Sequence, residues 1–174
     1  MKLKIITGLL SLFVLGLSSC NNQLDELENL ECISRSSMRF ENGECVIAAV
    51  YYSAHFVGQH IPVEEIYKYF EDAGAVDSDG HILGISLNTQ EWYNVFIYFL
   101  GGRPAVTERY LLEELGKGHI ACCRTYDRSH AFILVSYDGT TDRFKYYDPI
   151  LNNYSTVDAT HICDPIVIRN RMSN

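Results

Sequence analysis

The chain changes character once, near residue 118, and that change limits what it can fold into. Before it come four segments with helical spacing. CVIAAVYYSAHFV (45–57) is apolar on nearly every face and lacks Gly and Pro, which predicts a buried helix. Asn42 or Glu44 stands ready to start it and Gly58 to end it. VEEIYKYFEDAG (63–74) follows Pro62, repeats apolar residues at Val63, Ile66, Tyr67 and Phe70, and stops at Gly74. LNTQEWYNVFIYFLGG (87–102) and TERYLLEELGKG (107–118) complete the helical half. After residue 118 come HIACCRTY, HAFILVSYD, RFKYYDP and ICDPIVIRN, short β-prone runs separated by turn signals such as DRS and DGTTD. Helices first and strands second predict an α+β domain, with N-terminal helices packed against a C-terminal antiparallel sheet.

The N-terminus reads as a separate piece. MKLK is a basic head, and IITGLLSLFVLGL is thirteen residues long, short for a membrane-spanning helix and right for the apolar part of a signal. The LSSC that closes it resembles a bacterial lipobox. This resemblance implies a signal peptide over 1–19, cleavage before Cys20 and lipid on Cys20. A lipidated acidic tether over 20–36 then leads into a domain over 37–174. Its acidic run, NNQLDELENLECIS, resembles a surface-export signal and admits a short helix. Attachment by lipid implies a cell-envelope protein, held at the outer membrane and directed to the surface, with the membrane as a partner through buried acyl chains.

Charge and cysteines exclude several functions. The whole chain carries 14 Lys+Arg and 22 Asp+Glu; without Lys2 and Lys4, 12 basic side chains face 22 acidic ones, a net charge near −10. Nucleic acid is disfavoured as a partner, because phosphate binding needs a basic surface. Besides Cys20 there are five cysteines, Cys32, Cys45, Cys122, Cys123 and Cys163, so at least one thiol is left unpaired. No spacing suits zinc; neither a metal nor a cofactor is expected. DSDG in the 77–86 loop lacks the rest of a calcium loop and reads as a turn. Cys122 and Cys123 are neighbours in a strand, so only one is expected to face the core.

Three segments in fixed order carry chemistry. ECVIAAV opens a buried helix with Cys45, SHAFILVSYD starts a strand with His130, and RFKYYDP ends the next strand with Asp148 before Pro149. A helix N-terminus and a neighbouring imidazolium both favour a thiolate. The same His can serve as general acid and base, and a carboxylate beside it fixes its tautomer. With the DGTTD turn between the two strands, residues 130 and 148 come opposite each other in a hairpin. His55, His60, His81 and His119 read as surface or helix residues. His161 is a weaker substitute for His130, with no following strand expected.

ECVIAAVYY and GKGHIACCRTYDRSHAFILVSYDGTTDRFKYYDP resemble the papain superfamily of cysteine peptidases, nearest to its compact bacteriocin-processing (double-glycine leader) peptidase-like branch. The likeness runs from about Phe40 to Pro149. It implies a papain-like fold, a helical part and a β part with the site between them. It also implies hydrolysis of a peptide or protein substrate, with Cys45 as nucleophile, His130 as general base and acid, and Asp148 orienting the imidazole. The family places a Gln about six residues before its Cys as an oxyanion donor. Arg39 stands there instead, and Val46 replaces the small residue that usually follows the Cys. Arg39 and Asn42 are the candidate side-chain donors, with the Cys45 backbone N–H as the other half of the hole. The Arg39 departure also favours an alternative, a papain-fold binding or immunity-like lipoprotein with weak or no catalysis. A transglutaminase-like acyltransferase shares the order Cys, His, Asp but usually has a Trp after its Cys, and NlpC-type peptidoglycan hydrolases match less well.

Overall fold

A computed structural model describes residue 40 and residues 43–76 and 87–170, within a compact unit spanning Met38–Asn174. The expectations placed on residues 1–36 (Cys20 and Cys32 among them), on Arg39 and Asn42, and on the 77–86 turn lie outside the described residues. Among the described residues no helix is long and apolar enough to cross a membrane.

Four helices come first: α1 (Cys45–Phe56), α2 (Val63–Asp72), α3 (Thr89–Leu100) and α4 (Glu108–Gly116). In α1 every residue except His55 is buried. Its start has no side-chain cap, because the Glu44 carboxylate accepts instead from the Tyr67 hydroxyl of α2. A cap is worth about 1 kcal/mol, whereas burying one Val or Ile side chain contributes about 1.5–3 kcal/mol. Packing therefore holds α1 in place. Helix α3 is the opposite case. Asn88 and Glu91 form a capping box at its start, and Gly101 ends it in the left-handed region at φ 63°. Gly102 is required for a different reason: a Cβ there would lie 2.9 Å from the Ile166 side chain. The four helical segments read from the sequence are all present, each one to four residues shorter than its sequence window.

The strands are β1 (Arg103–Pro104), β2 (Ile120–Thr125), β3 (Ala131–Asp138), β4 (Arg143–Asp148), β5 (Asn153–Val157) and β6 (Ile162–Ile168), with a 3-10 turn at Ala159–His161. They form one antiparallel sheet in the order β1-β6-β2-β3-β4-β5. The architecture is α+β, as expected. Three details differ. Strands β1, of Arg103 and Pro104, and β5, NYSTV, are not expected from their sequences. His161 does have a strand after it, β6, but it sits exposed in the 3-10 turn.

Both faces of the sheet are covered, which overturns the expectation for the Cys122–Cys123 pair. The Cys122 thiol meets the Ser53 hydroxyl of α1 at 2.8 Å. Cys123 points the other way, into a cluster with Leu111 and Leu115 of α4 and with Phe132, Leu134 and Phe144 of the sheet. Successive side chains of a strand alternate across it, so each thiol enters a different core and neither is exposed. Burial pushes the Cys122 thiol up to about 12 and raises Cys123 as well. Helix α4 thus packs on the face opposite α1.

Candidate active site

Three elements meet at one end of the sheet. Gly43, at φ 100°, makes the turn into α1, and Cys45 is the first residue of that helix, 8% exposed. His130 sits one residue before β3, at the end of a turn built by its own neighbours. Its N–H donates to Thr125 Oγ1 at 3.0 Å, and its carbonyl accepts from the Thr125 N–H at 2.9 Å. Thr125 Oγ1 in turn donates to Asp127 Oδ1 at 2.6 Å, which also accepts the Ser129 N–H at 3.1 Å. Asp148 ends β4.

His130 and Asp148 are brought together, though not face to face as the hairpin spacing suggests. Strands β3 and β4 pair Tyr137 with Phe144 but Ile133 with Tyr147, because a bulge between Leu134 and Ser136 shifts the register. The bulge lessens the offset by one residue, yet His130 lies three residues beyond the last pair and Asp148 only one, and the imidazole crosses the gap diagonally. His130 Nε2 and Asp148 Oδ2 are 2.9 Å apart.

The carboxylate is fixed on both oxygens. Asp148 Oδ1 accepts the N–H of Ile150 at 2.9 Å and of Leu151 at 3.0 Å, while Oδ2 serves His130. Pro149 has no N–H to offer and its ring fixes φ, so Asp-Pro-Ile-Leu is a turn folded around the Asp148 side chain. Sequence reading noted Asp148-Pro149 as a strand end and missed that the two following N–H groups hold the carboxylate. An Asp before a Pro at the end of a β-prone run is the signal that was available. Burial raises the Asp148 carboxyl, but the His130 bond and the two backbone N–H bonds outweigh it, and the group lies below its ordinary value.

The thiol completes the arrangement. The hydrogen bond to Asp148, and then the Cys45 thiol beside the ring, raise His130 to about 9, against the opposing effect of burial. Nε2 is taken by Asp148, so Nδ1 is the nitrogen left to the thiol. The three groups open onto a cleft of about 420 Å³, whose walls include Gly43, Ser129, Ile150 and Leu151. The cleft wall carries, among the described residues, no charged side chain besides His130 and Asp148. Among the described residues no group of three or more His, Cys, Asp and Glu is placed to hold a metal.

Of the sequence candidates, Cys45, His130 and Asp148 are together in this cleft; Arg39, Asn42 and Cys20 lie outside the described residues. The other described histidines are elsewhere. His55 is in α1 beside Tyr51 and His60, and His119 accepts the Asn170 N–H at 3.2 Å. No known family model matches this chain, and no curated protein is significantly similar to it in sequence.

Proposed function

We propose that this protein is a papain-like cysteine peptidase of the cell envelope, anchored through Cys20, that cleaves a peptide bond through a thioester on Cys45. One observation carries the reading. A thiol at the first turn of a buried helix, an imidazole and a buried carboxylate that holds the imidazole Nε2 at 2.9 Å all face one open cleft.

The chemistry follows from those positions. The Cys45 thiolate attacks the substrate carbonyl carbon; a C–S bond forms and the carbonyl electrons move onto oxygen. The Glu44 side chain caps none of the first-turn N–H groups of α1, which suits them to bind that oxyanion. The imidazolium then gives its Nδ1 proton to the leaving amine nitrogen as the C–N bond breaks, leaving a thioester. Neutral His130 next takes a proton from water, the hydroxide adds to the thioester, and the C–S bond breaks to release the acid. Asp148 keeps the proton on Nε2 throughout, so that Nδ1 is the nitrogen that exchanges.

The test is acylation. When the protein is incubated with a panel of N-acetyl peptide thioesters, intact mass and peptide mapping are expected to show a transient acyl adduct on Cys45 alone, absent in Cys45→Ala. A panel that leaves Cys45 unmodified while Cys45→Ala keeps the protein's biological effect would favour the second reading, a papain-fold binding lipoprotein, to which Arg39 in place of the usual Gln points.

A further inference from the structure

A buried cluster of charges stands behind the His130 turn, and the thiol chemistry makes no direct use of it. Arg124 is 1% exposed. Its Nη1 donates to the Leu87 carbonyl at 2.7 Å, its Nη2 pairs with Asp164 Oδ2, and its guanidinium lies 5.1 Å over the Trp92 ring. Asp164 Oδ2 also forms an ion pair with Arg128 Nε at 3.2 Å, its Oδ1 accepts from Thr89 Oγ1 at 3.3 Å, and its backbone carbonyl takes the Trp92 indole N–H at 2.8 Å. Arg128 Nη2 closes the circle on Thr89 Oγ1 at 3.2 Å.

This construction is expensive. Asp164 and Arg128 both sit at positive φ, 50° and 61°, in the left-handed region that side chains with a Cβ disfavour. The register between β2 and β6 slips beside Arg124, and the Arg124 Nε finds no hydrogen-bond partner. A well-packed apolar core gives equal or better stability than a buried ion cluster. What charges add is direction, because the guanidinium is a rigid planar fork. The direction here runs to Arg128, two residues before His130. Hydrogen bonds to Asp127 give the turn its internal shape. The Tyr126 N–H donates to the His161 carbonyl at 3.1 Å, just before β6; Arg128 adds a side-chain tie to Asp164 within β6 and to Thr89 at the start of α3.

We propose that Asp164 and Arg128 are positioning residues, which hold the 126–130 turn at the place where the His130 ring spans Cys45 and Asp148. The proposal rests on Cys45 being the nucleophile. The Asp164 carboxylate does not touch the reacting atoms; it acts through Arg128 and the backbone.

The experiment compares Arg128→Met, Arg128→Lys and wild type as full chains, reading three quantities: the iodoacetamide rate at Cys45 at pH 6, the His130 titration by NMR, and Tm. Arg128→Met keeps side-chain length and removes every donor. Its labelling rate is expected to fall about tenfold and the His130 titration to move about one unit toward the ordinary value. Because the Arg128 side chain is 48% exposed, Tm should stay within about 4 °C. Arg128→Lys restores the ion pair to Asp164 and is expected to recover most of the rate. Asp164→Asn should repeat the Arg128→Met result if it folds; Arg128→Met decides the matter if it does not. An Arg128→Met rate equal to wild type, or a loss that Lys fails to recover, overturns the positioning role. Wild type with slow Cys45 labelling and an ordinary His130 titration would instead sink the nucleophile reading, and the positioning role with it.

Discussion

His130→Ala is expected to lower turnover by on the order of 10²–10⁴-fold, and to remove the pH 6 reactivity of Cys45 in the same step. The imidazole supplies both the charge that stabilises the thiolate and the proton that the leaving amine needs, so one substitution removes two functions. Steady-state kinetics with any peptide that acylates Cys45 checks the first loss, and labelling checks the second. The same variant reads the stability of the pair against pH. His130 is raised to about 9 in the folded chain, above its unfolded value, so its contribution is fully present below about pH 6.5. That contribution is lost as pH rises through about 9. Asp148 is lowered, so its contribution is present above the ordinary carboxylate range and lost on acidification. The Tm difference between wild type and His130→Ala should therefore be widest near pH 5–6 and should shrink toward pH 10. A difference that grows with pH would contradict the ion pair.

Asp148→Asn has the second large effect, and its cause is a count of acceptors. The carboxylate accepts on both oxygens, from two backbone N–H groups on Oδ1 and from His130 on Oδ2. An amide has one acceptor oxygen. If that oxygen keeps the two backbone N–H groups, the NH₂ faces His130 Nε2 and forces the proton onto Nδ1. His130 then cannot act as base toward Cys45. A wrong tautomer of this kind costs about 10⁴-fold in the worked serine-protease case, and a loss on the order of 10³–10⁴-fold is expected here. Two hydrogen bonds outweigh one, so this orientation should prevail, with Tm little changed and the His130 titration falling well below about 9. Should the amide turn the other way, activity would survive while the 148–151 turn loosens and Tm drops. Full activity together with an unchanged Tm would show that Asp148 holds neither the tautomer nor the turn.

The sequence made the helices legible because their signals are local. The 3.6-residue spacing of Val63, Ile66, Tyr67 and Phe70 and the glycine stops at 58, 74 and 101–102 each lie within a few residues of what they control. The hairpin of β3 and β4 was legible for the same reason, and so was the meeting of His130 with Asp148. The exact facing of that pair was not, because the turn pairs Asp138 with Arg143 and so sets His130 beyond Asp148, an offset that a bulge near Val135, unmarked in an apolar run such as AFILVSY, only partly removes. Strand β5 was missed because NYSTV is mostly exposed and polar at a sheet edge, where pairing to β4 substitutes for hydrophobicity. Nothing in the order of elements says which face a helix covers. Placing α4 opposite α1, which buries Cys123 as well as Cys122, was therefore beyond local reading. The Asp164–Arg124 pair joins residues 40 apart in the chain; each looked like an ordinary strand residue until the fold put them together.

The most direct test is a competition among thiols. The full-length chain is treated with limiting iodoacetamide from pH 5 to 10, and peptide mass spectrometry reads the rate at each cysteine. The expected result is that Cys45 labels fast at pH 6 and that its advantage disappears in His130→Ala. Cys163, raised by burial and by the neighbouring Asp164 carboxylate, should follow only at alkaline pH, while Cys122 and Cys123 stay silent until the protein unfolds. A Cys45 no faster than Cys163 at pH 6, or equally fast without His130, would mean that the thiol only packs the start of α1, and the proposed peptidase would have no nucleophile.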